Sequence, residues 1–95
     1  MKEYDILLRT PLGDKEGYLS VDVLQGRLEG QLDVLEHSTG FSGEIDESGF
    51  CWISGQLITA LSTVTFLATG YIRAQRLDLV FQHHHQPFQI VGSAR

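Results

Sequence analysis

Ninety-five residues with 42% hydrophobic side chains form one domain, residues 1–95, large enough to bury a core without staples and too small for two. A net charge of −5, with seven basic residues scattered from Lys2 to Arg95, argues against nucleic acid or an anionic membrane surface as a partner. No apolar run approaches the roughly 18–20 residues of a membrane span, and the acidic, strand-patterned start is not that of a signal peptide. Cys51 is alone and has no partner for an internal disulfide, so a reducing, cytoplasmic location is expected.

Period-two alternation predicts about eight strands with short connections. The first, about Lys2 to Arg9, turns Tyr4, Ile6 and Leu8 to one side. Thr10-Pro11-Leu12-Gly13-Asp14 reads as a turn. The second, about Glu16 to Leu24, sets Gly17, Leu19, Val21 and Val23 inward, and Gln25-Gly26 is a tight hairpin. The third, about Arg27 to Glu36, points Leu28, Gly30, Leu32 and Val34 in. His37-Ser38-Thr39-Gly40 is expected to precede a short fourth strand with Phe41, Gly43 and Ile45 inward. Glu47-Ser48-Gly49 turns the chain into a fifth strand, about Phe50 to Thr59, carrying Cys51, Ile53, Gly55 and Leu57.

The sixth strand, about Thr63 to Arg73, turns Val64, Phe66, Ala68, Gly70 and Ile72 inward. The seventh, about Gln75 to Gln82, contributes Leu77, Leu79 and Phe81. The eighth, about Pro87 to Ala94, contributes Phe88, Ile90, Gly92 and Ala94. No window has a helical period. Sequential strands with short links make a meander, which avoids exposed edges by closing on itself. The expected fold is therefore all-β, a single antiparallel up-and-down meander closed into a small barrel, with a two-sheet β-sandwich as the alternative.

Six Gly-x-Leu or Gly-x-Ile triplets occur, at Gly17, Gly26, Gly30, Gly43, Gly55 and Gly70, and in the five that lie inside strands the spacing puts glycine and an aliphatic residue on one face. Glycine is disfavoured inside strands, so its recurrence there predicts walls that bend sharply around a tight core.

The inward set contains no Asp, Glu, Lys, Arg or His, so neither a general acid–base pair nor an activated nucleophile can be assembled from it. Tyr4 and Cys51 are its only polar members, and Cys51 also reads as a small buried hydrophobe. A filled interior is expected; the alternative is a slot for a flat or linear apolar ligand lined by Tyr4, Cys51, Phe66 and Phe81. His83-His84-His85 suggests a metal, but adjacent extended residues point to opposite faces, and a solvated hairpin loop explains the run better. The acids Glu29, Asp33, Glu36, Glu44, Asp46 and Glu47 lack the converging offsets of a calcium loop and read as a solvated face. No metal or cofactor is expected.

The outward face of strands five and six is more informative. Phe50, Trp52, Ile58 and Ala60 lie beside Thr63, Thr65, Leu67, Thr69 and Tyr71, an apolar and threonine-rich patch between acidic walls. Patches of this kind mark interaction sites, and Trp and Tyr are favoured at binding hot spots. Phe50, Trp52, Ile58, Leu67 and Tyr71 are the expected interface, with a folded-over minicore at the barrel end as the alternative.

The stretches Thr10-Pro11-Leu12-Gly13, Gly17-Tyr18-Leu19-Ser20-Val21, Gly26-x-Leu28-x-Gly30, Phe66-Leu67-Ala68-Thr69-Gly70 and Phe88 to Arg95 together span almost the whole chain. In them the sequence resembles small uncharacterised bacterial calycin-like (lipocalin-like) β-barrel proteins. The resemblance implies a barrel; it rests on turns, glycines and core residues and brings no catalytic residue with it. The expected function is a non-enzymatic binding or assembly module, self-associating or docking a protein through the Trp52 face. Carriage of a small hydrophobic ligand, or a small barrel cyclase or isomerase built on a shaped apolar cavity, is the alternative.

Overall fold

In a computed structural model, which describes residues 1–11, 13–58, 61–82 and 88–95, the alternation resolves into eight strands. These are β1 (Lys2–Thr10), β2 (Gly13–Leu24), β3 (Arg27–Val34), β4 (His37–Ile45), β5 (Phe50–Ile58), β6 (Thr63–Ile72), β7 (Arg76–Gln82) and β8 (Phe88–Ala94). Each pairs antiparallel with the next, and β8 returns to β1. The sheet is one closed barrel rather than a sandwich. Leu12, Thr59, Ala60, the His83–His85 run, Gln86 and Pro87 lie outside the described residues. Among those that are described, no helix is long and apolar enough to cross a membrane.

The strands are strongly staggered. From Ile6, one direction round the sheet passes Gly17 and Val34 to His37 in β4. The other passes Gly92, Leu77 and Ile72 and, with the same registers carried past the strand ends through Gly49, comes level with residue 47 just beyond β4, so the two paths arrive ten residues apart. A stagger of this size in eight strands tilts them by about 40° and leaves an interior that side chains fill.

The filling follows from the glycines. One inward row, across β3 to β6, reads Gly30, Phe41, Gly55, Phe66, and a second, across β3 to β7, reads Leu28, Gly43, Ile53, Ala68, Phe81. Each large side chain lies over a small neighbour, the alternation a narrow barrel needs. Phe66 then stacks on Phe81, ring centroids 4.3 Å apart and 7° from parallel. At Gly43 a Cβ atom would meet the Trp52 carbonyl oxygen at 1.9 Å, so β4 and β5 approach there as only glycine permits.

The inward residues expected from the pattern are buried almost throughout, with one correction: Val23 is exposed. β1 begins its pairing at Lys2 opposite Val21, so the tip of β2 beyond Val21 has only β3 beside it and no facing wall. A second correction concerns β3 and β4. The expected loop at His37 to Gly40 is strand, and the turn is the two residues Leu35 and Glu36, both at positive φ (57° and 67°). These are the angles of the tight hairpin turn that matches strand twist, and the sequence fills it with residues that disfavour them. The Gln25-Gly26 hairpin is as expected, with φ of 53° and 78°.

Candidate functional site

Of the four side chains expected to line an interior slot, all are buried in the packed core: Tyr4, Cys51, Phe66 and Phe81. The Tyr4 hydroxyl donates a 2.7 Å hydrogen bond to the Arg73 carbonyl, which satisfies its one polar atom, and burial pushes its pKa up. Burial also pushes the Cys51 thiol up to about 11, with the Asp46 charge adding to the shift. A thiol so protonated is a poor nucleophile at neutral pH. Tyr4, Phe66 and Phe81 come from β1, β6 and β7 and belong to one core cluster, in which Phe66 stacks on Phe81. Among the described residues, no group of three or more His, Cys, Asp or Glu side chains is placed to hold a metal ion.

The outer wall of β5, β6 and β7 differs. Register sets Phe50 opposite Tyr71, Trp52 opposite Thr69, Ser54 opposite Leu67, and Thr69 opposite Val80. Phe50, Trp52, Leu67, Tyr71 and Val80 are each between 36 and 46% exposed, and together they surround Thr69. The sequence-based interface thus comes together for Phe50, Trp52, Leu67 and Tyr71. Ile58 is half-buried at the far end of β5 opposite Thr63, away from this cluster. Val80 is an addition, which its outward place between Leu79 and Phe81 in the period-two pattern could have revealed.

The patch is held in place from its edge. The Phe50 ring meets Tyr71 edge-on at 5.4 Å, and the Arg73 guanidinium lies 4.4 Å over the Tyr71 ring. The β4–β5 turn fixes where Phe50 leaves the sheet. The Asp46 carboxylate accepts from the Ser48 hydroxyl at 2.6 Å, from the Ser48 amide at 2.8 Å and from the Phe50 amide at 3.2 Å. These bonds to the charged form hold the Asp46 carboxyl below its usual range. Asp46, read from sequence as one of a solvated acidic set, is therefore the side chain that aims Phe50.

Beside Trp52 a groove of about 650 Å³ runs towards Leu24 at the β2–β3 tip, between Arg27 and Glu29 on one side and Glu44 on the other. The patch and its border together offer an aromatic surface without charge at its centre and with charge around it. An apolar middle within a polar rim is an arrangement that protein-binding surfaces share. No protein-family pattern, curated protein or solved structure matches the chain.

Proposed function

We propose that this protein is a non-enzymatic assembly module of calycin-like type that pairs with a second copy of itself through the outer face of β5, β6 and β7. The observation that carries the reading is the uncharged, half-exposed cluster of Phe50, Trp52, Leu67, Tyr71 and Val80 on three adjacent strands. A chain with net charge −5 repels its own copies at most orientations. This face is where two copies can meet with no like charges opposed at the centre, Glu44 and Asp78 falling at the two edges. Rigid strands carry the contact residues, so little conformational entropy is lost on docking. A protein confined to the cytoplasm would keep the single thiol of Cys51 reduced, and its burial removes it from exchange chemistry.

The fluorescence of Trp52, the one tryptophan of the chain, tests this reading. Its emission moves to shorter wavelength as concentration rises, because pairing takes the indole out of water. Emission unchanged from dilute to concentrated solution contradicts the proposal.

A further inference from the structure

On the opposite wall of the barrel, the glycines produce a second surface feature. Gly92 and Gly17 flank Ile6 across β8, β1 and β2. A Cβ at Gly92 would sit 2.9 Å from the Ile6 side chain and 3.0 Å from Leu77, and one at Gly17 would sit 2.5 Å from the Asp33 carbonyl oxygen. A trough of about 1110 Å³ crosses the outer side of this wall from β6 to β3.

Register lays two outward rows along the trough. One reads Asp78, Val91, Leu7, Glu16, and the other Arg76, Ser93, Asp5, Tyr18, Asp33. The middle carries no net charge, and one of its two rows is aliphatic. Val91 and Leu7 are half-buried neighbours, and the Asp5 carboxylate is paired with Arg95 at 2.7 Å. The ends are charged and opposite. At the β6–β7 end stand Arg73 and Arg76 against one acid, Asp78; at the β2–β3 end stand Glu16 and Asp33. Among the described residues, none of Arg76, Glu16 and Asp33 has an ion-pair partner. Guanidiniums stacked on the two tyrosines steady the walls, with Arg95 4.5 Å over Tyr18 and Arg73 4.4 Å over Tyr71. Tyr18 also donates its hydroxyl to Glu3.

We propose that this trough binds an extended protein segment with acidic residues at one end, basic residues at the other and aliphatic residues between. From Arg76 to Asp33 is four strand spacings of about 4.8 Å, the reach of about six extended residues. The acidic end of the segment lies on Arg73 and Arg76, its basic end on Glu16 and Asp33, and its aliphatic centre on Leu7 and Val91. A phosphate chain fails at the Glu16–Asp33 end, and an all-basic segment fails at the arginines. The trough adjoins the proposed self-association face, sharing Tyr71 with it and Arg73 and Asp78 at its edge, while the Glu16–Asp33 end lies on other strands.

The test uses fluorescein-labelled heptapeptides followed by fluorescence anisotropy. The bipolar pair are Glu-Asp-Val-Leu-Val-Lys-Lys and its reversed sequence, which covers both chain directions. The controls carry Lys at both ends or Glu at both ends. One bipolar peptide saturates, the controls bind at least about tenfold more weakly, and Arg76→Glu or the pair Glu16→Lys with Asp33→Lys weakens binding about tenfold or more. Trp52→Glu leaves peptide binding unchanged, which separates this site from the association face. Circular dichroism confirms that each surface variant is folded. No saturation by either bipolar peptide at about 1 mM, equal binding of the controls, or indifference to the charge reversals overturns the proposal.

Discussion

Phe41 lies over Gly30 so closely that a Cβ at position 30 would come within 2.5 Å of the ring's Cζ and 2.1 Å of the Ser20 carbonyl oxygen. The ring can turn only at the expense of its own packing, and the carbonyl belongs to the β2–β3 ladder and cannot move at all cheaply. Gly30→Ala therefore destabilises the barrel by about 3 kcal/mol, towards the upper part of the range for overpacked cores. Gly40→Ala is the control, since its nearest neighbour would be 3.8 Å away. It leaves stability unchanged or raises it by about 0.5 kcal/mol. Urea denaturation of the two variants measures both values.

The Leu35–Glu36 turn stores strain that one substitution relieves. Glu36 is exposed with φ of 67°, an angle that costs a side chain about 1 kcal/mol and costs glycine almost nothing. Glu36→Gly raises the urea midpoint, with a gain of about 1 kcal/mol at unchanged m-value. A loss of stability there would show that Glu36 makes a contact worth more than the strain.

Cys51 makes alkaline stability a report on the core. Its thiol is pushed from 9.0 up to about 11 in the folded state, so between those values the unfolded chain releases its proton first. Stability from this group is complete below pH 9 and falls as pH rises towards 11, by about 2–3 kcal/mol in all. Cys51→Ala removes that part of the alkaline slope. In the native protein at pH 8 the thiol does not react with a disulfide reagent, and it reacts once urea unfolds the chain.

Asp46 gives a complementary acid dependence at the patch. Its carboxyl is held below the usual range by the Ser48 and Phe50 hydrogen bonds, so the order it lends the β4–β5 turn is present above its unfolded value and is lost as pH falls through the depressed one. Asp46→Ala abolishes the effect. Amide exchange at Phe50 follows it, quickening in the variant at neutral pH and in the parent protein only on acidification.

The strands and their inner faces were legible because two physical signals coincide at almost every position, alternation and apolar character. The Gly-x-Leu spacing carried the narrow core as well, since glycine inside a strand has few other reasons to recur. Leu35-Glu36 hid the third turn because its residues contradict its angles, and the chain reads there as continued strand. Val23 misled because alternation reports which side a residue faces, not whether a wall stands opposite. The exposed apolar cluster on β5 and β6 was readable from two adjacent strands. The trough was not, because its acidic and basic ends come from strands far apart in sequence, and only the stagger of the closed barrel lines them up. Arg73 and Arg76 stood out as neighbouring bases, but nothing in the sequence placed Asp33 and Glu16 across from them.

The most direct test of assembly through the Trp52 face is the solution mass by light scattering over a wide concentration range, for the parent protein and for Trp52→Glu. Assembly through this face gives a parent mass that rises to twice that of one chain, and a folded variant that stays at one chain throughout. A parent protein that remains a single chain at the highest concentration, or a variant that dimerises equally well, contradicts it.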